Sequence, residues 1–196
     1  MKVLVLDNYD SFTYNLVQYI QEILEQKIDV FRNDEIDLDA VGEYDFIILS
    51  PGPGLPKDAG IMPALIQRYA STKTILGVCL GHQAIGEAFG ASLENLAHVF
   101  HGVETPVEVV VEDEPLFQSM PTTFQAGRYH SWVVEKESLP SELEVTAVDK
   151  DGVIMAMRHK TYDVRGVQFH PESIMTEFGR KMLENLLLTR REPVAA

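Results

Sequence analysis

An α/β fold is predicted for this chain of 196 residues. The expectation is one three-layer domain over residues 1–190, with a central mostly parallel sheet, helices on both faces and a smaller antiparallel β region in the second half. Short apolar runs alternate with amphipathic stretches as far as Gly90, which is the rhythm of β-α-β-α units. Beyond Gly90 closely spaced β-like runs take over, and Asp149-Lys150-Asp151-Gly152 reads as a hairpin turn between two of them. The length suits a single core, and no linker, repeat or low-complexity segment divides it.

The elements follow in order. KVLVL, Lys2 to Leu6, is a short buried strand. Phe12, Leu16, Tyr19, Ile20, Ile23 and Leu24 share one face of a helix that Ser11 would cap. Strands come next at 28–32 (IDVFR) and 44–50 (YDFIILS), the second broken by Pro51. A helix from Met62 to Ala70 carries Pro63 in its first turn, where the missing N–H has no helical partner anyway. KTILGV at 73–78 is a fourth strand, followed by a helix from His82 to Phe89 that Gly90 stops. Strand-like runs then cover 107–113, 131–135, 143–148, 152–159 and 164–170. A final amphipathic helix from Ser173 to Leu188 turns Ile174, Phe178, Met182, Leu183, Leu186 and Leu187 inward. Residues 191–196 are expected to fray.

Composition removes several function classes. Acidic residues outnumber basic ones 30 to 16, for a formal net charge of −14. Neither nucleic acid nor an anionic membrane is expected as a partner, because both need a basic face. The single cysteine rules out an internal disulfide. MKVLVLDNYDS has too short an apolar run before its first charges to be a signal peptide, and no run approaches the ~18 apolar residues of a membrane span. A reduced, cytoplasmic setting is the expectation.

That lone cysteine sits in Gly77-Val78-Cys79-Leu80-Gly81, between a strand and a helix. This has the form of a nucleophile elbow, with sulfur where hydrolases place a serine hydroxyl. A sharp strand-to-helix turn needs small residues on either side and sets the sulfur at the positive end of the helix, which favours thiolate. The plainer role for a lone cysteine is that of a small apolar filler. His170-Pro171-Glu172, where a strand gives way to the last helix, offers a proton shuttle and a carboxylate to orient it. The plainer role there is a surface histidine and a helix-start glutamate. Ser50-Pro51-Gly52-Pro53-Gly54 follows a strand on the ligand-binding edge of a parallel sheet. Its glycine N–H groups could join that of Leu80 in an oxyanion hole; a rigid turn is the commoner meaning. His98 and His101 have metal-ligand spacing but no supporting cysteine or carboxylate, so no metal is expected.

Taken together, SPGPG, GVCLGHQ and GVQFHPES resemble the class I, triad-type glutamine amidotransferases. LDNYDSFTYNL at 6–16, RND at 32–34, HG at 101–102, RYHS at 128–131 and RGVQFHPESI at 165–174 are similar to the small glutaminase subunit of anthranilate synthase and aminodeoxychorismate synthase. The resemblance implies that Cys79 is the nucleophile, His170 the acid/base and Glu172 its partner. It places Gly52, Pro53 and Gly54 at the glutamine, Gly52 and Leu80 in the oxyanion hole, and Gln83 on the substrate. Ser131 and Trp132 supply backbone contacts to its α-groups. Two positions depart from the family pattern, Trp132 where relatives usually carry Leu and Val103 where they often carry Lys. The implied activity is hydrolysis of L-glutamine without a cofactor, with ammonia delivered to a separate chorismate-binding synthase subunit. The product would be anthranilate; aminodeoxychorismate, or both from the same glutaminase, is the alternative. A catalytically silent regulatory module on the same fold is the alternative of another class. Asp7, Asp10 and Ser11 would either cap the first helix or face the partner subunit.

Overall fold

The computed structural model describes residues 1–188. Eleven strands are present: β1 Val3–Asp7, β2 Asp29–Arg32, β3 Phe46–Leu49, β4 Thr74–Val78, β5 Leu93–Asn95, β6 Val103–Val109, β7 Thr123–Arg128, β8 Trp132–Val134, β9 Leu143–Asp149, β10 Ile154–His159 and β11 Val164–Val167. Four α-helices accompany them: α1 Thr13–Leu24, α2 Met62–Tyr69, α3 Leu80–Ala88 and α4 Gly179–Leu188. One sheet holds nine strands in the order β2-β1-β3-β4-β11-β10-β9-β6-β7. Its first five strands are parallel, and the last four continue it antiparallel. β5 and β8 form a separate antiparallel pair.

Burial on both faces explains why β1 and β3 are continuous apolar runs rather than alternating ones. Val3, Val5, Phe46 and Ile48 face one side and pack with Leu16, Val17 and Ile20 of α1 and Met182, Leu183 and Leu187 of α4. Leu4, Leu6, Ile47 and Leu49 face the other and pack with Met62, Leu65 and Ile66 of α2 and Leu80, Ala84 and Ile85 of α3. Each of these Val, Leu, Ile, Phe and Met side chains, fully buried, contributes about 1.5–3 kcal/mol. The strand order changes direction between β1 and β3, which opens a crevice at the carboxyl ends of those strands. Asn8, Ser50, Cys79 and His170 follow β1, β3, β4 and β11 at that edge, so the crevice is where the chemistry-bearing motifs meet.

Several local expectations are corrected. Ser11 does not cap α1. Instead Asp10 Oδ1 accepts from the Phe12 N–H at 2.8 Å, and Asp7 Oδ1 accepts from the Thr13 hydroxyl at 2.8 Å. α3 begins at Leu80, two residues early, because the elbow at Cys79 starts it directly. The strand placed at 107–113 runs from Val103 to Val109. β5 and β7 were not predicted. The last helix starts at Gly179 rather than Ser173, since Phe178 adopts φ +58° and residues 171–178 form turns. Ile174, expected to face inward, is 100% exposed. The tail expected to fray, 191–196, lies outside the described residues.

Candidate active site

Cys79 has φ +51° and ψ −97°, a backbone state that strains any side-chain-bearing residue. The surroundings hold it there. Its N–H donates to the Val167 carbonyl at 2.8 Å, and its own carbonyl accepts from the Gln83 N–H at 3.0 Å. A Cβ on Gly77 would overlap the backbone of Gly81, and one on Gly81 would lie 2.5 Å from the Leu49 carbonyl oxygen. Both flanking glycines are therefore steric requirements of the turn. Leu80 and Gly81 open α3, and first-turn amides have no carbonyl partner within the helix. Their N–H groups remain available beside the sulfur.

The second half of the site hangs from β11. His170 Nδ1 is 2.6 Å from Glu172 Oε1, with both side chains buried. The turn that carries them is tied to β7: the His170 N–H donates to the Gly127 carbonyl at 3.1 Å, and the Thr176 hydroxyl donates to the His170 carbonyl at 2.6 Å. Tyr129 and Phe12 set ring edges on the imidazole, at centroid distances of 4.8 and 5.2 Å. Burial opposes a charged ring, but hydrogen bonds and charge interactions with Cys79 and Glu172 outweigh it and raise His170 to about 10. Nε2, the nitrogen that Glu172 does not hold, is buried without another acceptor or donor of good geometry among the described residues. It is the nitrogen left for the sulfur and for the substrate.

The SPGPG loop closes a third side. Asn8 donates from its backbone N–H to Ser50 Oγ at 2.8 Å and from Nδ2 to the Ser50 carbonyl at 2.8 Å. Asn33 Nδ2 donates in turn to Asn8 Oδ1 at 3.0 Å. Gly52 rests so closely on Asn8 and Leu80 that a Cβ there would lie 2.6 Å from Asn8 Cβ and 2.8 Å from Leu80 Cδ2. Loop and helix start are thus in contact, as a shared oxyanion site requires. Pro53 and Gly54 are exposed, and Gly54 takes φ +77°.

The remaining sequence candidates are placed less simply. Gln83 spends its amide nitrogen on protein: Nε2 donates to the Trp132 carbonyl at 2.8 Å and to Gln168 Oε1 at 3.2 Å. Only its Oε1 is left for a substrate. The Ser131 carbonyl accepts from the Leu96 N–H at 2.7 Å. The Trp132 carbonyl also meets His130 Nδ1 at 3.0 Å, so both of its lone pairs are engaged. Burial, then the nearby Arg128 charge, lowers His130 to about 3; burial lowers His82 to about 4. Both rings are neutral at physiological pH. Among the described residues no group of three or more His, Cys, Asp or Glu side chains gathers around a metal-sized space.

Sequence reasoning missed Asn8, Phe12, Tyr129 and above all Gln168, whose Nε2 donates to Cys79 Sγ at 3.6 Å. A signal for the last existed. Gln168 lies two residues before His170 in the run 164–170 that the sequence predicts as a strand, and in an extended chain that spacing puts both side chains on one face.

A thiol at a helix start, an imidazole–carboxylate pair and a glycine loop around one crevice can perform acyl transfer through a thioester. Comparison with known proteins narrows that class. The chain belongs to the glutamine amidotransferase class-I family, whose profile matches residues 4–189. It is 46% identical over 196 residues to the aminodeoxychorismate/anthranilate synthase component 2 of Bacillus subtilis, covering 99% of this chain and 100% of that one. It is 48% identical over 192 residues to anthranilate synthase component 2 of Pseudomonas aeruginosa, covering 94% of each chain. A crystal structure from Thermoplasma acidophilum, assigned provisionally to GMP synthase, superposes with a TM-score of 0.82 at 27% identity, over 95% of this chain and 92% of that one.

Proposed function

We propose that this chain is the glutaminase subunit of a chorismate-using synthase: it hydrolyses L-glutamine and passes ammonia to a partner that makes anthranilate. The observation that carries this reading is the convergence of Cys79, His170 and Glu172 beside the Gly52–Leu80 contact. Cys79 Sγ attacks the side-chain amide carbon of glutamine. The resulting oxyanion is held by the N–H groups of Gly52 and Leu80; one such donor is typically worth ~10²–10³ in rate. His170 gives its proton to the departing nitrogen, ammonia leaves, and a glutamyl thioester remains on Cys79. His170 then takes a proton from water, which hydrolyses the thioester to glutamate. Glu172 holds the imidazole and supports its charge throughout. None of these steps calls for a metal or an organic cofactor.

Ammonia escaping into neutral water becomes ammonium, which is not a nucleophile, so the acceptor must sit over the crevice. Ile174 at 100% exposure, Tyr14 at 67%, Tyr9 at 50% and Phe178 at 44% offer apolar surface at that edge. Ile174, with Phe12 and Tyr129, lines a cavity that also reaches Glu172. The synthase subunit is the occupant that fits the proposed chemistry. The relatives' names span two products, and a partner making aminodeoxychorismate is the second reading they support. Supplying chorismate and glutamine to the co-isolated complex and identifying the ortho- or para-amino product decides between the two. Cys79→Ser is expected to abolish synthesis from glutamine while leaving synthesis from added ammonia; loss of both would assign the thiol a structural role.

A further inference from the structure

Gln168 is fully buried, and its amide has only one workable orientation. The Trp132 carbonyl oxygen can only accept, and it takes Gln83 Nε2 at 2.8 Å. Gln83 must therefore point its nitrogen at Trp132. That same nitrogen is 3.2 Å from Gln168 Oε1, so Gln168 presents oxygen to Gln83 and nitrogen to Cys79 Sγ, 3.6 Å away. Flipping Gln168 sets donor against donor at Gln83, and flipping Gln83 sets acceptor against acceptor at the Trp132 carbonyl. The other side of the Trp132 carbonyl is fixed as well. Arg128 Nε donates to His130 Nε2 at 3.1 Å, and an arginine has nothing to accept with. His130 Nε2 is thus unprotonated, and Nδ1 carries the proton to the Trp132 carbonyl at 3.0 Å. Arg128 is itself anchored by Asp149 at 2.7 Å.

We propose that Gln168 is a hydrogen-bond donor to the Cys79 thiolate, oriented through Gln83 and the Trp132 carbonyl, and that it keeps the sulfur deprotonated and aimed before glutamine arrives. A thiol is a weak acceptor and a thiolate a strong one, so a fixed N–H favours the charged form. The role deepens the glutaminase reading above and rests on it for its catalytic consequence. The ionisable groups of this network are His170 with Glu172 from the β11–α4 turn, which interact with Cys79, and His130, which interacts with Arg128, with His82 on α3 and with His170. They are common to the native protein and its variants, so a difference between these isolates the amide.

Alkylation of Cys79 by iodoacetamide, followed from pH 5 to 10 on the full chain, reads the thiolate without glutamine or a partner. Gln168→Met is expected to move the inflection up by about one pH unit and to slow alkylation about tenfold below it. Gln168→Glu keeps the shape but places an acceptor at the sulfur, and the inflection is expected to move further in the same direction. Gln83→Met releases the amide from its other side and moves it up by less; it carries the test if a Gln168 variant fails to fold. Profiles that superimpose on the native one in the folded variants overturn the proposal. An upward shift in a protein that proves not to hydrolyse glutamine would leave the hydrogen bond standing and remove only the proposed function.

Discussion

Replacing Glu172 by glutamine is expected to make the stability of this protein differ from the native one in a pH-dependent way. The buried carboxylate accepts from His170 Nδ1 at 2.6 Å and is one of the two partners that lift the ring to about 10 against burial. A charge-assisted hydrogen bond of this kind is worth about 1.5–3 kcal/mol, which corresponds to a fall of about one to two pH units when it is lost. The sign follows from linkage. A histidine whose folded pKa lies above its unfolded value of about 6.5 adds stability that is fully present below pH 6.5 and is lost as pH rises toward 10. Thermal melts of native and Glu172→Gln protein at pH 6, 8 and 10 check this. At pH 6 and 8 the variant is expected to melt about 3–10 °C lower by a nearly equal margin, and the gap is expected to close between pH 8 and pH 10. A gap that stays constant or widens with pH would refute the claim that Glu172 stabilises a charged His170.

Three other perturbations follow from the same geometry. Gly81→Ala places a Cβ 2.5 Å from the Leu49 carbonyl oxygen, which is backbone and cannot swing away; glutaminase activity is expected to fall at least tenfold with a stability loss of about 1–3 kcal/mol, measured by turnover and urea denaturation. Asp149→Asn leaves the Arg128 guanidinium, 1% exposed, without its counter-charge; urea denaturation is expected to show a loss of about 3–5 kcal/mol, and a loss under about 1 kcal/mol contradicts the assignment. Ile174→Asp alters a fully exposed side chain, so stability should stay within about 0.5 kcal/mol while affinity for the synthase subunit falls; unchanged affinity in a binding titration removes Ile174 from the interface.

The parallel half of the fold was readable because its strands are buried on both faces and so appear as unbroken apolar runs, as in Val3–Asp7 and Phe46–Leu49. β7 was not, for a physical reason: TFQAGR carries glutamine and arginine, and Arg128 is buried only because Asp149 arrives from β9. Ile174 misled the helical pattern. Its spacing from Phe178 and Met182 fits a helix face, but the chain there is held in turns by the contacts that position His170. Cys79, His170 and Glu172 were legible because each sits in a short motif whose neighbours are dictated by a turn. Gln168 reads as one polar residue in a strand, and only the positions of Gln83 and Trp132 give its amide a direction. The loop anchor formed by Asn8, Ser50 and Asn33 joins three segments far apart in sequence, which no local pattern reveals.

Mass spectrometry of acid-quenched protein during turnover with glutamine reads the covalent step itself. A glutamyl adduct confined to the peptide holding Cys79, formed and lost as glutamate appears, is the expected result. Steady release of glutamate and ammonia with that peptide unmodified, and unaffected when Cys79 is replaced by serine, would contradict thiol catalysis at this site.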